Sequence, residues 1–218
     1  MNEAEPERVW RLVKPPKPPG YTAPNPEAKD EINDLFAEAL PDGDGIVAFL
    51  DHVDFKTATR LADSGVDPRT MLIPQMHRET FETMRKHPVF GRAVVFGEFN
   101  QVLQGVESTF RGIYADFTGP LACGMGFIEV CKGLALAPAA VVAVTITLRD
   151  PSGNDSFTNS AIEMLSSAMS DELHMVSLRD QAGQRVAPIT YGVGAPMVTL
   201  FKRRRGSVHQ QVDEAGRR

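Results

Sequence analysis

Four polar side chains, each at the end of a short apolar stretch, are the residues of this sequence best suited to do chemistry. They are Asp51, Gln75, Glu98 and Asp116. A carboxylate can orient a ligand hydroxyl or take a proton from it, and an amide can hydrogen-bond the same group. If the apolar stretches are parallel strands, their carboxyl ends meet at one edge of a sheet, where open α/β sheets bind ligands. We therefore expect these four residues to line a single cleft.

Neighbouring residues extend this candidate site. Thr57 lies near the start of a predicted helix, where a hydroxyl and free backbone N–H groups favour an anion such as a ligand carboxylate. His52 could hydrogen-bond a ligand or take a proton, although a structural hydrogen bond is the commoner role. Phe117 could pack beside an acceptor that Asp116 orients or deprotonates.

Structural roles are open alternatives for the acidic residues. Asp51 and Asp54 precede the predicted helix that begins near Phe55, so either could cap its N-terminus. Asp116 could instead stabilise the turn that follows its strand through its own side chain.

The elements that would position these residues alternate between strand and helix. Runs such as GIVAFL and AVVAVTITL are short, apolar and bounded by glycine or polar residues, which is typical of buried parallel strands. Strands are predicted at 46–50, 71–73, 93–96, 112–115 and 140–148, and helices at 26–40, 55–64, 77–86, 98–103, 124–136 and 155–169. Two further β runs within 173–202 are joined by a short turn and must be antiparallel.

Composition favours one α/β domain with two extensions. The chain has 218 residues and a net charge of −5, and the domain is predicted to span 26–205. Residues 1–25 form a proline-rich arm that either packs on the domain or binds a protein partner. The basic tail at 206–218 is expected to be disordered and suggests nucleic acid only weakly. With no membrane-length apolar run and no signal peptide, the sequence predicts a soluble intracellular protein, most simply a cytoplasmic one.

Several other site classes lack their motifs. The five histidines are scattered and the two cysteines, Cys123 and Cys131, fall in one predicted helix, so no metal site is expected. The sequence has no G-x-S-x-G elbow, no phosphate-binding G-x-x-x-x-G-K-[ST] loop and no G-x-G-x-x-G after the first strand.

The order of elements over residues 32–202 resembles the class I S-adenosylmethionine-dependent methyltransferases. Asp51 matches the acid that ends the first strand in that family, but the following loop, DHVDFKTA, lacks the family's glycines. Gln75 and Met76 stand where the family usually has an acid that holds the ribose. Gly97 and Glu98 follow the third strand, near the expected adenine. Asp116 and Phe117 follow the fourth strand, facing the transferred methyl group.

This resemblance implies a fold, a cofactor and an activity. The fold is an open, doubly wound, mostly parallel Rossmann-like α/β sheet of about seven strands, with a C-terminal antiparallel hairpin and helices on both faces. The cofactor is S-adenosylmethionine, with contacts from Asp51, His52, Thr57, Gln75, Met76, Gly97, Glu98 and Asp116 and with Asp116 and Phe117 in catalytic roles. The activity is that of a divergent methyltransferase with an unknown acceptor substrate. A catalytically inactive methyltransferase-like fold that serves as a binding or scaffold module is the alternative.

Overall fold

The computed structural model describes residues 26–117, 119–148, 155–179, 183–191 and 197–205. The predicted arm at 1–25 and tail at 206–218 lie outside these residues. The helices are α1 (Pro26–Ala39), α2 (Lys56–Asp63), α3 (Arg78–Met84), α4 (Phe99–Gln104), α5 (Leu121–Lys132) and α6 (Asp155–Glu172). The strands are β1 (Ile46–Phe49), β2 (Met71–Gln75), β3 (Val94–Phe96), β4 (Phe110–Asp116), β5 (Leu136–Thr147), β6 (Met175–Ser177), β7 (Ile189–Tyr191) and β8 (Met197–Arg204).

All eight described strands belong to one sheet, which confirms the predicted fold class. The strand order is β3-β2-β1-β4-β5-β8-β6, and β7 pairs with β8 beside this path. Strands β1 to β5 pair in parallel, whereas β6, β7 and β8 form the antiparallel end. The strands at the two ends of the path, β3 and β6, are each only three residues long.

Apolar side chains cover both faces of the sheet, as expected where helices pack on each side. On one face, α1, α2 and α3 bury Phe36, Leu61 and Met84 against the strands. On the other face, α4, α5 and α6 bury Phe127 and Leu165 among others. Strand β5 is central, and its residues from Ala140 to Val144 alternate between the two cores.

Arginine side chains of β8 and β4 bind backbone carbonyls at the C-terminal end of α1. The Arg203 side chain donates a hydrogen bond to the Ala39 carbonyl at 2.9 Å, and Arg111 donates to the Pro41 carbonyl at 3.0 Å. The last carbonyl groups of a helix have no hydrogen-bond partners within the helix. They carry partial negative charge, so the two arginine side chains bind favourably at this end of α1. A Cβ atom on Gly112 would collide with Leu40 Cδ2, so a side chain there would force Leu40 to shift beneath the helix end.

Several predicted boundaries differ from the observed ones, and strand pairing explains two of them. Strand β2 continues through Pro74 to Gln75, because its pairing with β1 ends at Leu72 and the missing proline N–H disrupts no bond there. Residue Leu136 belongs to β5 and not to the preceding helix, because it pairs with Phe110 of β4. The last predicted β run contains two strands, β7 and β8, so the described sheet has eight strands, in keeping with the predicted fold.

Candidate functional site

The structure brings the four predicted strand-end residues to one edge of the sheet. Gln75 is the last residue of β2 and Asp116 the last of β4, while Asp51 and Glu98 follow β1 and β3 by two residues. These four strands are neighbours in the order β3-β2-β1-β4 and run in parallel. Their carboxyl ends therefore share one edge, as the sequence predicts.

Asp51 organises the connection between β1 and α2. Its Oδ1 atom accepts the His52 backbone N–H at 2.9 Å, and Oδ2 accepts the Ala58 N–H at 2.8 Å. The capping role left open for Asp51 is thus present, although it acts across the loop and not from the residue before the helix. Burial raises the pKa of the Asp51 carboxyl to about 7, against the lowering effect of these two N–H groups.

The residue before α2 is Phe55, which adopts a left-handed conformation with φ 48° and ψ 38°. Such a conformation is costly for a side chain with a Cβ atom. The Phe55 side chain is buried, and its ring lies 4.6 Å from the His87 ring and 5.4 Å from the Phe90 ring. This packing holds Phe55 in a conformation that glycine adopts more readily.

The other two loop residues have different surroundings. The His52 side chain is exposed at the edge. The Thr57 side chain is buried, and its Oγ1 atom donates to Asn33 Oδ1 of α1 at 3.3 Å. Thr57 therefore joins α2 to α1 through a buried hydrogen bond.

Gln75 and Met76, at the end of β2, differ sharply in exposure. Gln75 is buried, and its Oε1 atom accepts the His77 backbone N–H at 2.9 Å while Nε2 faces Met84 Sδ at 3.8 Å. Met76 is 60% exposed. Of this pair, Met76 is therefore the one whose side chain is open to a ligand.

Gly97 and Glu98 shape the end of β3. The Gly97 N–H donates to the Gln75 carbonyl at 3.1 Å, which ties the β3 and β2 ends together. A Cβ atom on Gly97 would lie 2.6 Å from Val102 Cγ2, so a side chain there would collide with α4. The Glu98 carboxylate caps α4, because Oε2 accepts the Gln101 N–H at 3.0 Å.

Asp116 is paired with a residue that the sequence analysis did not select. Its Oδ2 atom binds the Lys29 ammonium of α1, and the two side chains are 22% and 21% exposed. Lys29 Nζ also donates to the Tyr114 hydroxyl at 3.5 Å. The second oxygen, Asp116 Oδ1, is buried and has no hydrogen-bond partner among the described residues. Because buried polar atoms are normally paired, this oxygen fits a ligand donor at the edge.

A sequence signal for Lys29 existed. Lys29, Asn33 and Phe36 lie at positions i, i+4 and i+7 of α1, and Asn33 and Phe36 are buried. A lysine on the buried face of an amphipathic helix needs an anionic partner. Sequence alone could not identify Asp116, which lies 87 residues away, as that partner.

Phe117 lies on the opposite face from Asp116. Its backbone N–H donates to the Thr145 carbonyl of β5 at 3.0 Å. Its ring meets those of Phe99 and Phe127 edge to face, with centroids 5.9 and 5.8 Å apart. Phe117 thus fixes the β4 end against α4 and α5.

Buried hydroxyl groups continue from Asp116 across the face covered by α1. Asp116 is opposite Thr145 in the β4–β5 register, and Thr145 Oγ1 lies 2.7 Å from Thr199 Oγ1 of β8. Burial raises the pKa of Tyr114 well above its usual range, so this hydroxyl stays protonated. Among the described residues, no group of three His, Cys, Asp or Glu side chains could hold a metal ion.

Similar solved structures identify this architecture. A cofactor-bound protein from MTB has a TM-score of 0.56 and 15% identity, over 83% of this chain and 81% of that one. A Bacillus cereus O-methyltransferase in complex with SAH has a TM-score of 0.54 and 11% identity, over 86% and 84%. A putative rRNA methylase from Clostridium thermocellum has a TM-score of 0.52 and 9% identity, over 83% and 97%. The chain has the class I methyltransferase fold.

These similar structures show the fold of the chain and nothing about its activity, because all three sequence identities are far below 25%. No family model and no curated protein matches this sequence. Within the described ranges, none of the helices is long and apolar enough to cross a membrane.

Proposed function

We propose that this chain binds S-adenosylmethionine at the carboxyl edge of β1 to β4 and transfers its methyl group to an acceptor beside β4. The observation that carries the proposal is the common edge of Asp51, Gln75, Glu98 and Asp116. Ligands of open α/β sheets bind at this edge, where the strand order reverses. The cofactor and SAH named for two of the similar structures support the same ligand class.

Each residue has a role that its surroundings support. Met76, Gly97 and Glu98 would contact the adenosine part, since they directly follow β2 and β3 at this edge and the Met76 side chain is exposed. Asp51 would hold the β1–α2 loop in its binding form through Ala58. Asp116 Oδ1 would accept a hydrogen bond, and then the proton, from the methyl acceptor.

S-adenosylmethionine would supply an electrophilic methyl group on a sulfonium. The protein's contribution to such a transfer is mainly to position the acceptor in line and to take its proton. Gln75 already binds the His77 N–H, so it shapes the edge and a ribose contact would require it to change partners. Together with the loop that lacks glycine, this predicts a dissociation constant in the micromolar range or weaker.

Titration calorimetry with S-adenosylmethionine and S-adenosylhomocysteine tests the proposal. Glu98→Gln keeps an oxygen that can cap α4 but removes the charge, and we expect it to weaken binding at least about threefold. Glu107→Gln is the matched control, because Glu107 precedes β4 and lies at the opposite edge of the sheet; its binding should not change. Absence of heat with either ligand at millimolar concentration would overturn the proposal.

Methyl transfer itself is tested with a labelled methyl group and a panel of acceptors. Asp116→Asn should lower transfer at saturating cofactor, because the amide cannot accept the acceptor's proton. Equal transfer by the variant and the parent would remove Asp116 from the chemistry.

A further inference from the structure

The ammonium group of Lys29 lies where the strand order of the sheet reverses. We call the space between the carboxyl ends of β1 and β4 the switch-point crevice. Asp116, the last residue of β4, binds Lys29 directly, and the Lys29 charge also acts on Asp51 beyond β1. Helix α1 thus places a positive charge at the point where a ligand of this fold is expected.

This ion pair is partly shielded from water. Both side chains are only about one-fifth exposed, and Lys29 Nζ lies 5.8 Å from the centre of the Tyr114 ring. In such surroundings the electrostatic effect of one charge on another several ångströms away is much stronger than in bulk water. A cation entering the crevice would find the Asp116 charge already neutralised and would be repelled by Lys29.

The two expected ligands differ in just this property. S-adenosylmethionine carries a methyl group and a positive charge on sulfur, and S-adenosylhomocysteine has a neutral thioether at the same position. We infer that Lys29 sets the charge preference of the switch-point crevice, cancelling the preference for the sulfonium that Asp116 would otherwise give. This inference rests on the proposed function, because it concerns the same cofactor site.

The assignment makes Lys29 a specificity-determining residue. With Lys29 in place, the site gains little from the charge of the substrate form and holds the neutral product comparably well. Loss of the ammonium would leave the Asp116 carboxylate free to attract a cationic ligand, so discrimination between the two ligands should change by about tenfold or more.

The test is the ratio of the dissociation constants of S-adenosylmethionine and S-adenosylhomocysteine, measured by calorimetry on the full chain. For Lys29→Met, this ratio should fall about tenfold relative to the parent. Lys29→Arg keeps the charge and should keep the parent ratio. Lys132→Met is the matched control, because Lys132 pairs with Glu129 and Glu172 at the far end of α5, and its ratio should not change.

A second variant covers the case in which Lys29→Met fails to fold. Asp116→Asn leaves the ammonium and removes the carboxylate, so the same ratio should rise about tenfold. If both ligands bind and the ratio stays within threefold of the parent in either folded variant, the role of Lys29 is overturned while the cofactor proposal stands. If the parent binds neither ligand, both proposals are overturned.

Discussion

Asp51 Oδ2 accepts a hydrogen bond from the Ala58 backbone N–H at 2.8 Å, which joins the end of β1 to the first turn of α2. This bond spans a loop in which the left-handed position is filled by Phe55 and not by glycine. One carboxylate and one buried ring therefore hold this turn in place.

Loss of this cap should destabilise the protein. For Asp51→Ala we expect the free energy of unfolding to fall by about 1–2 kcal/mol, because the Ala58 N–H loses its acceptor. Urea denaturation at pH 4, where the raised pKa of Asp51 costs the parent little stability, measures the change. Asp54→Ala is the control: Asp54 is exposed and lies 4.0 Å from Lys56, so its loss should cost less than about 0.5 kcal/mol. Equal losses would contradict the cap.

The Asp51 carboxyl should also make stability depend on pH. Burial raises its pKa from 3.8 to about 7, so between these values the folded protein holds a proton that the unfolded chain releases. The free energy of unfolding therefore falls as pH rises through this window. Asp51→Asn removes this contribution, so between pH 4.5 and pH 8 the free energy of unfolding of the variant should rise relative to that of the parent by about 3 kcal/mol. If the stability of the variant relative to the parent instead rises as the pH falls, the pKa of Asp51 is lowered in the folded protein.

Gly97 should tolerate no side chain. In Gly97→Ala the new Cβ atom would meet Val102 Cγ2 at 2.6 Å, and we expect a loss of about 1–3 kcal/mol in urea denaturation. Gly105→Ala, at the other end of α4, is the matched control, since its nearest contact is 3.6 Å away. Adding Val102→Ala to Gly97→Ala should recover part of the loss, and a failure to recover would place the strain elsewhere.

The close approach of α1 to β4 gives a further test. Gly112→Ala would place Cβ 2.2 Å from Leu40 Cδ2 and 3.1 Å from the end of the Phe36 ring, so stability should fall by about 1–3 kcal/mol. In Gly126→Ala the same change occurs within α5 with nothing within 4 Å, and a gain of about 0.5–1 kcal/mol is expected from the lower flexibility of the unfolded chain. Thermal or urea denaturation that ranks these two variants the other way would contradict the packing of α1.

The parallel strands could be predicted because each is a short apolar run bounded by glycine, proline or polar residues. The run AVVAVTITL predicts a central strand, and the residues of this run up to Thr147 do lie in β5. The ends of helices and strands were harder to predict where pairing between distant strands determines them. Leu136 follows the helical pattern before it, yet its pairing with Phe110 places it in a strand.

The sequence was enough to predict where the site lies but not which hydrogen bonds its residues make. Residue type and strand ends were enough to place Asp51 and Asp116 at one edge. They could not show that Thr57 bonds Asn33 of α1, or that Lys29 reaches Asp116, because both contacts join segments whose relative position only the folded chain defines. Helix α1, which precedes the sheet, is therefore the part of the site that sequence reasoning missed.

The three-residue strands at the two ends of the sheet have a consequence for self-association. An unpaired strand edge is a template on which another chain can add by backbone hydrogen bonds, and long flat edges lead to aggregation. Among the described residues, β3 offers only Val94–Phe96 at one end, and β6 (Met175–Ser177) and β7 (Ile189–Tyr191) share the other end beside β8. A foreign strand would find too few positions at either end for stable addition, so the fold resists growth by edge-to-edge stacking without needing charged residues to block it.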